Sequence, residues 1–215
     1  MNLTAIKKTL NHLPKLLLGF VVISVGIQLT LHADLGMNPW GTFHQGVSMI
    51  SSFTFGQVTQ LTGIVIILFS LFLKIYPGIG TLLNMYLLGL FVDTIEAFHL
   101  VPIPDSVFMR VIYLLIGTFL FNYGVYIYLS CELGAGPRDG LLVGLVRITG
   151  HKVSIIRPMI ELSVITVGVI LGGTFGIGTL LNAFAGGYIL NTIFEFHKFN
   201  PKTTRQMVIT DYLKP

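Results

Sequence analysis

The chain has 215 residues, 53% of them hydrophobic and only 10% charged, with a mean hydropathy of +0.82 and a formal net charge of +4. Soluble domains carry about 25% charged residues, so there is too little polar side chain here to cover a water-facing surface. A single cysteine, Cys131, excludes an intramolecular disulfide framework and a multi-cysteine metal site, and no CxxC, HExxH, GxSxG or phosphate-loop pattern gives an enzyme class a foothold.

In chain order, the first apolar segment runs Leu13–Leu31, close to the ~20 residues that a bilayer crossing needs. Lys7, Lys8 and Lys15 before a 15-residue apolar run, then Leu31-His32-Ala33, imitate a secretory signal, but the segment has an internal counterpart and reads as a retained span. Asn38–Phe53 follows, a glycine-containing stretch that as a helix would span about 24 Å at about 1.5 Å per residue, short of a ~30 Å core. Two further spans, Leu61–Ile75 and Leu82–Phe98, are joined by a tight Gly-x-Gly connection. The pattern then starts again with Val111–Ser130, a second short stretch Gly136–Lys152, a span around Ile160–Leu171, and Gly178–Phe196. The spans read as helices, because a helix satisfies its own backbone in lipid and no alternating barrel pattern is present.

The restart is a duplication. Gly78-Ile79-Gly80-Thr81-Leu82-Leu83-Asn84 recurs as Gly176-Ile177-Gly178-Thr179-Leu180-Leu181-Asn182, and the same offset of 98 lays Leu35-Gly36-x-x-Pro39 on Leu133-Gly134-x-x-Pro137. Upstream, Leu16, Gly19, Gly26 and Leu31 fall on Leu114, Gly117, Gly124 and Leu129. A repeat this long is a whole structural unit built twice. With three spans per unit, the second enters the membrane upside down relative to the first. The expected fold is an all-α integral membrane protein of two inverted-topology repeats, each with three transmembrane helices and a short re-entrant or half helix after its first span. The units are residues 1–102, residues 103–198, and a cytoplasmic tail over 199–215.

Charge supports that topology. If the stretches 38–53 and 136–152 re-enter on one side and the N-terminus is cytoplasmic, 12 of the 13 Lys and Arg residues are cytoplasmic and only Arg110 lies outside. Both termini are then cytoplasmic.

Chemistry concentrates in the short stretches. Pro39 suits the first turn of a helix and Asn38 its cap, while Trp40, His44 and Ser48, spaced by four, share one face. That face reads either as a ligand surface at a helix N-terminus or as an interfacial aromatic anchor. Its counterpart has Gly136 and Pro137 followed by Arg138 and Asp139, ionisable groups that at depth usually line a cavity. Arg138 suits an anionic group held bidentately, or a pair with Asp139, Glu132 or Glu161. Asn84 and Asn182 are equivalent by the offset and read as bonds across helix contacts. Asp93, matched by Asn191, is half a helical turn away from Asn84 and is a candidate proton carrier or a wet interfacial acid. Gly78, Gly80, Gly176 and Gly178 mark the repeat connections. Arg157 and Glu161, four apart, read as a structural ion pair. Gln28 and Asn122 lie in the middle of spans, as interhelical bonds or ligand contacts. The tail reads as a stretch beside anionic lipid, its charge too sparse to argue for nucleic acid.

Leu35-Gly36-x-Asn38-Pro39-Trp40-Gly41-x-x-His44-Gln45-Gly46, Gly136-Pro137-Arg138-Asp139-Gly140 and the two Gly-Ile-Gly-Thr connections resemble the YczE/YyaS/YitT group of bacterial integral membrane proteins over nearly all of residues 14–196. The chain departs from that group's pattern at Gly41, where an acid is usual. The resemblance implies a multi-pass protein of the bacterial cytoplasmic membrane and leaves the substrate open. The expected function is a small secondary transporter moving a small polar or anionic solute, with Asn38, Trp40, His44, Arg138 and Asp139 contacting it and a proton coupled through Asp93 or Asp139. The alternative is a non-transporting scaffold or regulator of a partner protein. No catalytic residue, cofactor or metal is expected. The chain length leaves room for a homodimer, and nothing in the sequence requires one.

Overall fold

The computed structural model describes residues 3–201 and 203–212, and every regular element among them is helical. The helices are α1 (Leu3–Ala33), α2 (Pro39–Ile50), α3 (Phe55–Phe72), α4 (Ile79–Ala97), α5 (Val107–Leu129), α6 (Pro137–Thr149), α7 (Val153–Ile170) and α8 (Ile177–Phe196), with a 3-10 turn over Ile209–Tyr212. All but α2 and α6 are long and apolar enough to cross a membrane.

The boundaries follow local chemistry. Asn38 Oδ1 accepts the Gly41 N–H at 3.0 Å and Pro39 opens α2. Thr54 and Gln57 form a capping box at the start of α3. Gly136 and Pro137 open α6, which ends on Gly150 at φ 69°. The first helix starts at Leu3, ahead of the expected Leu13, because its polar first turns have partners. Lys8 pairs with Glu132 at 2.5 Å, and the hydroxyls of Thr9 and Tyr212 meet at 2.6 Å.

The seam between α1 and α5 is built on glycine. A Cβ on Gly26 would lie 2.6 Å from the backbone N of Phe121, and one on Gly124 2.8 Å from Gly19 O. Contacts climb along α1 as they descend along α5, so the two helices run antiparallel. At the ends of the seam, Arg110 meets Asp34 at 3.6 Å as Lys8 meets Glu132. Such partly exposed pairs are worth no more than about 1 kcal/mol each. In lipid, small residues of this kind let two helix backbones approach closely. Leu16, Phe20, Ile23 and Ile27 pack there with Tyr128 and Leu133.

The repeated motifs turn out to be two sides of one contact. Gly178 N–H donates to Leu35 O at 2.7 Å and Gly80 N–H donates to Leu133 O at 2.7 Å, so each Gly-Ile-Gly-Thr connection docks on the Leu-Gly turn of the other half. Those turns need Gly36 at φ 94° and Gly134 at φ 124°, and a Cβ on Gly134 would meet Thr81 Oγ1 at 2.7 Å. Packing is exchanged likewise: α2 lies on α7 and α6 on α3, while α4 leans on α1 and α8 on α5.

The segment after α8 folds back over the connection at Gly78. Met207 N–H donates to Glu132 O at 3.0 Å, Ile209 N–H to Pro77 O at 2.9 Å, and Gln206 Oε1 accepts the Gly134 N–H at 3.1 Å. The tail is thus a structural strap rather than a free lipid-side extension. Lys202 and Lys214, part of the charge read there, lie outside the described residues.

Candidate functional site

A cavity of about 420 Å³ lies between the halves, within the range of small-ligand sites. The N-terminal ends of α2 and α6 meet at it: Asn38, Pro39 and Trp40 come from one, Gly136, Pro137, Arg138 and Asp139 from the other. The positive ends of two helix dipoles therefore face the same space.

Trp40 and Arg138 occupy equivalent positions in the repeat, and they touch. The guanidinium carbon sits 4.8 Å from the centroid of the indole. Among the described residues the guanidinium forms no hydrogen bond or ion pair, although Asp139 and Glu161 are near enough to feel its charge. Its planar fork therefore remains available to a carboxylate or phosphate.

His44 is 2% exposed and packs among Trp40, Phe43 and Phe55. Its Nδ1 lies 3.0 Å from Thr59 Oγ1, which is also 2.9 Å from Phe55 O. The Thr59 hydroxyl thus sits between Nδ1 and the Phe55 carbonyl, while Nε2 has no partner among the described residues.

The five expected ligand residues, Asn38, Trp40, His44, Arg138 and Asp139, thus line one cavity. Asn84 and Asn182 line it as well, Asn182 donating to Gly178 O at 2.8 Å and to Thr118 Oγ1 at 3.4 Å. Asn122 also lines it, whereas Gln28 turns away to His32 and Glu96. Arg157 and Glu161 form their ion pair at 3.1 Å on the wall. Gly78, Gly80, Gly176 and Gly178 stay at the connections. Asp93 lies outside the cavity. Its Oδ1 accepts the Gly56 N–H at 2.8 Å and its Oδ2 the Thr54 hydroxyl, so it caps α3. Tyr128 carries no motif that marks it in the sequence; its hydroxyl accepts the Gly136 N–H at 3.1 Å and so fixes the start of α6. Among the described residues no group of three His, Cys, Asp or Glu side chains converges as metal ligands do.

Helices that span, polar groups gathered inside, and bilayer-facing apolar surfaces define a polytopic α-helical membrane protein. The chain belongs to the family of unknown function DUF6198, which matches residues 10–195. It is 37% identical over 175 residues to an uncharacterized protein of Haemophilus influenzae, covering 81% of this chain and 79% of that one. It is 36% identical over 174 residues to the uncharacterized membrane protein YczE of Bacillus subtilis, covering 80% of each. It is also 24% identical over 197 residues to the uncharacterized protein YyaS of Bacillus subtilis, covering 89% of this chain and 93% of that one. No solved structure matches.

Proposed function

We propose that this protein is a secondary transporter of the bacterial cytoplasmic membrane, carrying a small polar or anionic solute unchanged through the cavity between its halves. The observation that carries the reading is Arg138, whose guanidinium forms no hydrogen bond or ion pair among the described residues and lies against Trp40 where two short helices begin. Half helices whose N-termini point at an anionic group near mid-membrane are a recurrent transporter device.

The antiparallel α1–α5 seam and the exchanged hydrogen bonds at Leu35 and Leu133 support an inverted-topology repeat. At 12 and 13 residues, α2 and α6 rise only about 18–20 Å, which supports dipping and returning from opposite sides. On this reading both termini are cytoplasmic, in accord with the positive charges. Asp139, beside Arg138, is the better candidate for a coupling proton, since Asp93 is committed to capping.

The test is thermal stability of the purified protein against a panel of amino acids, small organic anions, nucleosides and vitamins, beside Arg138→Ala and Trp40→Ala. A ligand that binds only the folded state stabilises it by about 2.7 kcal/mol at a hundredfold excess over its Kd. A stabilising compound whose effect disappears in both variants is expected. Absence of any such compound, with stable co-purification of a second protein, overturns the reading in favour of a scaffold.

A further inference from the structure

The cavity has a missing wall. In the first half α3 and α4 pack along their lengths, with Gly56 and Gly89 so close that a Cβ on either would collide with the other's carbonyl oxygen. In the second half α7 and α8 do not pack, and a Cβ on Gly187, the counterpart of Gly89, would meet nothing within 4 Å. Both α7 and α8 line the cavity, through Glu161 and Ile160 on one side and Gly187 and Leu190 on the other. Their outer faces are apolar and exposed, Leu162 at 68% and Phe184 at 84%, and therefore meet hydrocarbon. The cavity is thus unsealed between α7 and α8, on the side where their apolar outer faces are exposed.

Resting on the reading of the cavity as a transport path, we infer that the anionic species held there is the head group of a lipid rather than a freely soluble solute. The lipid's head lies at Arg138 and Trp40 and its acyl chains lie in the gap between α7 and α8. The charge arrangement favours this occupant. A water-soluble anion would leave the apolar gap to be filled by unrelated chains, whereas one amphipathic molecule satisfies both a guanidinium with no hydrogen bond or ion pair among the described residues and the open apolar cleft. Anionic lipids are abundant at the membrane surface from which such a cleft loads.

Trp40 is the chain's single tryptophan, so its fluorescence reports this place alone. The experiment uses the full chain in phosphatidylcholine vesicles containing, at equal mole fraction, either phosphatidic acid or phosphatidylcholine with brominated acyl chains, which quench tryptophan on contact. The expected result is at least twofold stronger quenching by the anionic brominated lipid. That excess is lost in Arg138→Gln, kept in part in Arg138→Lys, and lost in Gly187→Phe, which fills the gap at a position with room for it. Equal quenching by the two lipids, or an excess that survives both Arg138→Gln and Gly187→Phe, overturns the inference. If short soluble anions stabilise the protein through Arg138 while the lipid excess is absent, lipid access is wrong and the transporter reading stands.

Discussion

Two seams that the repeat makes equivalent are in different states. Between α3 and α4, Gly56 lies on Gly89, Gln60 Nε2 donates to Tyr86 O at 2.8 Å, and Asp93 ties the start of α3 to α4. The residues that match these by the offset are Ser154 and Gly187, Pro158 and Phe184, and Asn191, which donates instead to Glu195 on its own helix at 2.6 Å. Accordingly 39% of the α3 span is buried inside the protein against 11% of α7. A shared backbone plan does not impose shared packing. Seam closure resides in a few residues that remove bulk or add a cross-helix hydrogen bond, and the second half has lost most of them while keeping Gly187.

If the transporter reading holds, the open seam closes when the closed one parts, and the comparison can be tested by locking it. The largest effect is expected from Ser154→Cys with Gly187→Cys in a Cys131→Ser background. Oxidation should join α7 to α8, protect both thiols from a maleimide mass tag, and abolish ligand-dependent stabilisation until a reductant is added. Thiols that stay free under oxidant in membranes would mean the second seam never closes.

Bulk should separate the seams next. Gly89→Leu drives a side chain into the α3 backbone and should cost about 3 kcal/mol, the upper end of overpacking, seen as loss of monodisperse protein in detergent. Gly187→Leu, in open space, should stay within ~0.5 kcal/mol of the parent. Equal damage from both would show the gap to be absent in solution.

Asp93→Asn removes the charge that accepts from Gly56 and Thr54, and should cost about 1–2 kcal/mol in a thermal shift assay. Asn191→Ala, which breaks only a bond within α8, should stay within ~0.5 kcal/mol. A larger loss from Asn191 than from Asp93 would reverse the assignment of the caps.

The smallest effect concerns a position where the halves agree in burial and differ in chemistry. Cys131 and its counterpart Ala33 are both fully buried, and burial pushes the Cys131 thiol up to about 11. The neutral thiol is favoured in the fold, so its contribution is complete below pH ~9, the range of an ordinary thiol, and is lost as pH rises through about 11. The folded protein should resist maleimide at pH 7.5. Cys131→Ala, which gives the second half the residue of the first, should cost about 1 kcal/mol or less and flatten stability above pH 9.

The six spans and the repeat were legible because apolar length and a fixed offset are properties of sequence alone. Asn38 and Pro39 gave the start of α2 for the same reason. The early start of α1 was not legible: Lys8 and Thr9 read as polar flanks until Glu132 and Tyr212, far along the chain, supply their partners. The contact between Trp40 and Arg138 was hidden as well, since the sequence puts the two on separate short helices and only exchanged packing brings their N-termini to one cavity. The open α7–α8 seam could not be read from Gly187, which is identical to its packed counterpart Gly89. Its neighbours Ser154, Pro158 and Asn191 carried the signal, and only as departures from the first half.

The meeting of Trp40 and Arg138 also bears on what a duplicated chain can hold. In a chain with a repeated unit, positions 40 and 138 are matched by the offset of 98, and they touch. Two arginines there would repel and two tryptophans would offer no charge. Within one chain the two places can differ, and that difference is what sets a ring against a cation there.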